Sequence, residues 1–338
     1  MAPNYVISAR AVEKGAFAPE PGPPLLLAVP RGKDFEPRHA VEKREDWLQG
    51  VRDLADGQAD GRVSEAGDVL VFVHGYNNSI GEIRRRHEIL QAGLAREGWK
   101  GLVVSFDWPS DTSTLNYLED REDAADTAKY LITDGIGLII TGQAAGCQTN
   151  VHLLGHSTGA YVIMEAFAAA EKVGRFYKRD WRIGQVGFIG GDVSAASLDA
   201  DSQWGEPMFK RIMRLTNYQN GFDDVLAVSN AKRLGASPRA GRVGLTPHAH
   251  PKAVNVDCSD YFSTVDPGKQ KSKVGWWAHS WHIGNRVFAR DLAMTLEGRI
   301  DRNYVPTRGV RDGRLRLQAG SRPRFEEKWR DHARGGTG

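Results

Sequence analysis

Val151-His-Leu-Leu-Gly-His-Ser-Thr-Gly-Ala160 is the stretch whose reading decides the fold. Val151 to Leu154 form an apolar run set off from polar Gln148-Thr149-Asn150, as expected of a buried strand. Gly155-His156-Ser157-Thr158-Gly159 follow. Ala160 to Phe167 then place apolar residues at helical spacing. Strand, G-x-S-x-G and helix together form the context of a nucleophile elbow. In such a turn the serine sits at the apex with strained backbone angles. Gly155 and Gly159 carry no Cβ, so strand and helix can close around it. Ser157 Oγ then stands clear of the sheet beside a helix start, where free N–H groups and the dipole favour developing negative charge.

Working outward, Val69-Leu-Val-Phe-Val73 reads as a strand buried on both faces, ending in His74-Gly75-Tyr76-Asn77-Asn78. Ser79 with Glu82 is a capping box that opens a helix; Ile83, Leu90 and Leu94 face the core, and Arg84 to Arg86 fall mainly on the wet side. Gly101 to Phe106 is the next strand, and a long helix is expected from Glu119 to Thr141. Further strands are Gly184 to Gly190, Ile212 to Tyr218 and Lys252 to Val256, with a last helix marked by Ile283, Val287, Leu292 and Leu296. Near the start, Tyr5 to Ser8 and Leu25 to Val29 read as short strands punctuated by prolines, and a surface helix lies between Ala40 and Ala55. Strands alternating with long helices imply an α/β fold, a mostly parallel central sheet with helices on both faces. The expected organisation is a single domain over residues 1–300 with loop insertions near 193–211 and 235–275. Residues 301–338 form an arginine-rich extension, flexible or packed on the body.

A chain of 338 residues, 41% of them hydrophobic, can bury a large core. The formal net charge of +3 gives no electrostatic case for a nucleic-acid or membrane partner. Cys147 and Cys258 make neither a disulfide framework nor a metal spacing. No His, Cys and Asp cluster has ligand spacing, so no metal and no other cofactor is expected. The N-terminus lacks a signal-peptide layout and no apolar run approaches a membrane span, which points to a cytoplasmic protein. Oligomeric state is open.

In open α/β sheets, sites form beyond the carboxyl ends of the strands. Those ends would gather His74-Gly75-Tyr76, Trp108, Ser157, Asp223 and His279. A serine hydroxyl needs a base within hydrogen-bond reach, and the base an orienting acid. His279, on a loop tip before the last helix, is the first candidate base, with His282 its competitor. His156, as the x of the elbow, points elsewhere. Asp223 ranks first as acid, then Asp224, then Asp192. The oxyanion donors would be the N–H groups of Thr158 and Tyr76, with His74 bracing that loop. Trp108, Tyr117, Trp276 and Trp277 either line an acyl pocket or serve ordinary packing.

With these residues assembled, the chain resembles the α/β-hydrolase superfamily and, within it, the bacterial alpha/beta hydrolases of the DUF900 type. The resemblance rests on Val71-Phe-Val-His-Gly-Tyr-Asn77, Phe106-Asp-Trp-Pro109, Tyr117 with Asp120-Arg121, Leu154-Gly-His-Ser-Thr-Gly159, Asp223 with Leu226 and Ser229, and His279-Ser-Trp281. It implies the α/β-hydrolase fold, with Ser157 as nucleophile, Asp223 as acid and His279 as base. Thr158 stands where members usually carry methionine, and Ala278 where aspartate is common. The expected function is a serine hydrolase cleaving a small-molecule carboxylic ester through an acyl-enzyme. An amidase, thioesterase or acyltransferase would use the same residues. A binding protein on this fold with a vestigial triad is the reading from another class.

Overall fold

The computed structural model describes residues 2–56, 67–110, 117–137, 149–173, 181–232, 237–265 and 277–323. Its strands are β1 (Asn4–Glu13), β2 (Ala16–Val29), β3 (Val69–Val73), β4 (Leu102–Asp107), β5 (Val151–His156), β6 (Ile183–Ile189), β7 (Ile212–Gln219), β8 (Ala253–Asp257), β9 (Arg308–Arg311) and β10 (Arg314–Leu317). They form one sheet in the order β2-β1-β4-β3-β5-β6-β7-β8-β10-β9. From β1 to β10 every neighbouring pair is parallel. The edge pairs β1–β2 and β9–β10 are antiparallel. This is the expected α/β-hydrolase fold.

The helices are α1 (Arg44–Ala55), α2 (Ile80–Arg96), α3 (Tyr117–Tyr130), α4 (Thr158–Val173), α5 (Glu206–Arg211), α6 (Asp224–Lys232), α7 (Ala240–Val243), α8 (Ser259–Thr264), α9 (Trp277–Ser280) and α10 (Arg286–Glu297). β3 shows how the sheet divides the core. Val69, Val71 and Val73 join a cluster with Trp47 of α1, Ala128 of α3 and Ile163 of α4. Leu70 and Phe72 point the other way, toward Leu90 of α2 and Phe288 and Leu292 of α10. All five residues of β3 are buried, as a strand covered on both faces requires. Ser79 caps α2 through the expected box: its hydroxyl accepts from Glu82 N–H, and the Glu82 carboxylate accepts from Ser79 N–H.

The structure departs from the sequence reading at both ends and in one helix. The two short N-terminal strands are one long hairpin. Its prolines lie in β2, an edge strand, and Pro23-Pro24 fall where the pairing with β1 shifts register. Residues beyond 300 are not merely an extension, because β9 and β10 carry the sheet on to Leu317. Arg308 anchors them. Its Nη2 lies 2.6 Å from Asp291 Oδ1 with both side chains fully buried. The Thr307 and Tyr218 hydroxyls donate to the same carboxylate at 2.6 and 2.7 Å. Removing one partner of such a pair typically costs about 3–5 kcal/mol. The helix expected to run to Thr141 changes to a π-helical turn at Leu131–Ile136. Its remaining residues and Cys147 lie outside the described residues; Cys258 is buried. Among the described residues, no helix is long and apolar enough to cross a membrane.

His87, His156 and His282 are almost fully buried. Burial lowers His87 to about 4 and His282 to about 3. Burial, with the nearby charges of His279 and Arg86, holds His156 well below the ordinary 6.5. Each ring is therefore neutral in the folded state where the unfolded chain would already bind a proton. As pH falls below about 6.5 the unfolded state gains protons first, and stability is lost by about 1.4 kcal/mol per pH unit for each histidine. Urea midpoints are expected to fall steadily from about pH 6.5 to about pH 4.5, and His282→Leu to reduce that slope by about a third. A flat profile over this range would contradict the burial of these rings.

Candidate functional site

Ser157 has φ 55°, in the left-handed region. For a serine that conformation costs of order 1–3 kcal/mol, and it persists only where the surroundings enforce it. Here they do. Ser157 N–H donates to Ile189 O at 3.1 Å, and Ser157 O accepts from Asp192 N–H at 3.0 Å and Ala160 N–H at 3.1 Å. Gly159 permits the close crossing that follows, since a Cβ there would lie 2.2 Å from Val73 O. α4 begins at Thr158, so its N-terminus rises beside the serine.

The loop after β3 forms the adjoining wall. A Cβ on Gly75 would lie 2.7 Å from Ser157 Cβ, which places this loop directly against the serine. Two hydrogen bonds fix the Gly75 carbonyl: His74 Nδ1–H donates to it at 2.8 Å and Asn78 Nδ2 at 2.7 Å. In a trans peptide the N–H of the next residue points opposite to the carbonyl. Gly75 O therefore sets the direction of Tyr76 N–H. The same logic applies to Thr158 N–H, because Ser157 O is held by two donors. Behind the loop, Arg10 Nε and Ser8 Oγ bond to Asp107 at 3.0 and 2.6 Å, and His74 Nε2 lies 3.2 Å from the same carboxylate. Burial pushes the Asp107 carboxyl up, but Arg10 and His74 together bring it below its usual range.

On the other side, His279 Nδ1 lies 2.7 Å from Asp223 Oδ2. A carboxylate only accepts, so Nδ1 carries the hydrogen and Nε2 is left with its lone pair. Asp223 is fully buried, and its other oxygen accepts from Leu226 N–H at 3.0 Å, capping α6. The cap pins the carboxylate rotamer. Gly190, at φ 53°, closes the pair: a Cβ would lie 3.1 Å from His279 Nδ1 and 3.3 Å from Asp223 Oδ2. Its neighbours Ile189 and Asp192 are the residues that hold the Ser157 backbone. The Gly190 turn thus links the serine to the histidine–aspartate pair.

The structure brings Ser157, Thr158, Asp223 and His279 together with the Tyr76 loop. Several expectations change. Asp224 is exposed, and Asp192 Oδ1 is engaged by Ser229 Oγ at 3.0 Å and Arg239 Nε at 3.2 Å. His282 is buried against Trp281 and Phe288 in the core. His279 lies in the short turn α9, with the last helix starting only at Arg286. Among the described residues, Trp108 takes the packing role. It is fully buried, stacks on His74 at 5.5 Å and donates from Nε1 to His74 O at 2.8 Å. It braces the loop because β4 ends beside β3. Tyr117 and Trp277 begin α3 and α9, but their side chains, like all of Trp276, lie outside the described residues. Arg86 is buried rather than wet, and His156 turns toward His279, with ring centroids 4.8 Å apart. Sequence reasoning also missed Asn220, which donates from Nδ2 to Ala278 O at 3.0 Å. No linear signal announces that contact. Among the described residues, no group of three or more His, Cys, Asp or Glu side chains could hold a metal ion.

The family described as alpha/beta hydrolase of unknown function, DUF900, matches residues 58–256. No curated protein matches. A solved structure from Lactobacillus plantarum, assigned as a cell surface hydrolase, is 13% identical with a TM-score of 0.36, covering 72% of this chain and 94% of that one. A metagenomic carboxyl esterase is 14% identical with a TM-score of 0.34, covering 70% and 78%. Bacillus licheniformis lipase is 16% identical with a TM-score of 0.31, covering 63% and 92%.

Two glycine substitutions separate the elbow's steric demand from ordinary helix energetics. Gly159→Ala forces a Cβ onto Val73 O and is expected to destabilise by about 1–3 kcal/mol. Gly93→Ala, inside α2, meets only Ala289 Cβ at 3.5 Å and is expected to stabilise by about 0.5–1 kcal/mol. Urea unfolding measures both, and a neutral Gly159→Ala would refute the tight crossing.

Proposed function

The chain belongs to the alpha/beta hydrolases of unknown function, DUF900, and on that premise we propose that it is a serine hydrolase cleaving a small-molecule carboxylic ester. One observation carries the reading: a buried histidine hydrogen-bonded to a buried, helix-capping aspartate, packed against the turn that holds a serine at positive φ. The Nδ1–H bond leaves His279 Nε2 as the acceptor for the Ser157 hydroxyl proton. Ser157 Oγ attacks the acyl carbon as His279 takes that proton. The carbonyl oxygen gains the negative charge and is met by the N–H groups of Thr158 and Tyr76, whose peptides are oriented by Asp192, Ala160, His74 and Asn78. The tetrahedral species collapses, His279 returns the proton to the leaving alkoxide, and an acyl ester on Ser157 remains. Water then attacks this ester with His279 again accepting the proton, and the acid departs as Ser157 recovers its hydrogen.

A fluorophosphonate probe is expected to label the wild type and spare Ser157→Ala. In p-nitrophenyl ester assays, Asp223→Asn should lower kcat by about 10⁴-fold, because the imidazole loses the acceptor that fixes its tautomer. Asn78→Ala removes one of the two donors to the Gly75 carbonyl and a donor to the Tyr76 carbonyl, loosening the peptide that aims Tyr76 N–H, and a loss of about 10²–10³-fold is expected. Equal labelling of wild type and Ser157→Ala would refute the proposal.

A further inference from the structure

We propose that His156, the residue between the glycine and the serine of the elbow, is a positioning residue for His279, and that Arg86 fixes the tautomer it needs. The proposal rests on the reading of His279 as the base.

The backbone of the turn carrying His279 is gripped at two successive carbonyls. Asn220 Nδ2 donates to Ala278 O at 3.0 Å, from the turn that also carries Asp223. His156 Nε2 lies 3.1 Å from His279 O, from the elbow itself. A carbonyl only accepts, so Nε2 must carry a hydrogen. The opposite nitrogen explains why it does. Arg86 Nη1 lies 3.4 Å from His156 Nδ1, and a guanidinium only donates. Nδ1 therefore presents its lone pair to Arg86, and the single hydrogen of a neutral ring sits on Nε2. His156 and Arg86 are 2% and 6% exposed, so water does not readily replace either contact. The Ser280 hydroxyl closes the cluster, 3.4 Å from His156 Nε2 and 3.5 Å from Arg86 Nη2. The two rings also touch, with centroids 4.8 Å apart and planes at 50°.

The physical consequence is a fixed distance between nucleophile and base. His156 precedes Ser157 in the chain, so its ring ties the backbone of His279 to the strand that ends in the serine. Among the described residues, the other side-chain ties from the α9 turn run through Asn220, Asp223 and Arg86 rather than to the elbow strand itself. A displacement of about 1 Å at a reacting pair can cost on the order of 10²-fold in rate. The cluster also supplies local support for the base at the point where Ala278 offers no carboxylate.

Two substitutions separate donating from filling. His156→Gln places an amide nitrogen near the Nε2 position and keeps a donor; His156→Leu fills space and has none. The readout is the downfield proton resonance of the His279 Nδ1–H bond to Asp223, identified by its loss in His279→Gln. His156→Gln should keep the wild-type position, whereas His156→Leu should shift or broaden the signal. In p-nitrophenyl ester assays His156→Leu should lower kcat by about 10²-fold with KM within about twofold, and His156→Gln should recover most of the loss. An unchanged resonance in His156→Leu would overturn the proposal. If His156→Leu does not fold, Arg86→Met decides, since it removes the Nδ1 donor and leaves the ring: the signal should shift, and an unmoved signal overturns the proposal. The resonance requires no turnover. Loss of Ser157-dependent hydrolysis in the wild type would therefore strike the hydrolase reading separately.

Discussion

Ser157 is held at φ 55° by bonds to Ile189, Asp192 and Ala160, and the rest of the site takes its geometry from that constraint. The left-handed turn lifts the side chain out of the strand direction. It aims the Ser157 carbonyl back into the Asp192 and Ala160 amides, which sets the direction of the Thr158 amide. It also requires the start of α4 to pass tightly against the end of β3, which Gly159 allows and a larger residue would not. The strain is maintained by a large buried sheet. β5 sits between β3 and β6 in the middle of the strand order, where relaxation would disturb both neighbours.

Charge is distributed in the same economical way. Buried carboxylates are matched: Asp107 by Arg10 and His74, Asp291 by Arg308, and Asp223 by His279 and an amide at a helix start. Three further buried imidazoles, His87, His156 and His282, are kept neutral by burial. His279, with an orienting carboxylate on one nitrogen, is the ring that the proposed mechanism uses as proton acceptor. The walls follow from strand ends: β3 contributes the Gly75 loop, β5 the serine, β6 the Gly190 turn and β7 the turn leading to Asp223. Their chemistry converges because parallel strands end on one edge.

The elbow, the apolar run of β3 and the capping box of α2 were legible because each is a local signal with a local cause. The pairing of His279 with Asp223 was accessible through chain order and strand ends. What escaped depended on long-range packing. Trp108 looks like a pocket aromatic in sequence, yet the proximity of β3 and β4 buries it on His74. Arg86 belongs to a basic triplet, but its position on the helix carries it under the site while Arg85 faces outward. The role of His156 is not legible in sequence, because the alternation of a strand says only which face it takes and not that the α9 turn lies there. The terminal hairpins did leave signals. Lys14-Gly15 and Asp312-Gly313 are turn pairs with positive φ at both positions, and the prolines of β2 suit an edge strand.

On the proposed mechanism, the positive-φ turn aims Ser157 Oγ between the Thr158 and Tyr76 amides on one side and the His279 ring on the other. A crystal structure of the protein after reaction with a small phosphonate inhibitor tests it most directly. Phosphorus is expected to be bonded to Ser157 Oγ, with its unesterified oxygen within hydrogen-bond distance of both amides and His279 Nε2 adjacent to the ester oxygens. Phosphorus on another residue, or a phosphoryl oxygen turned to solvent away from both amides, would contradict it.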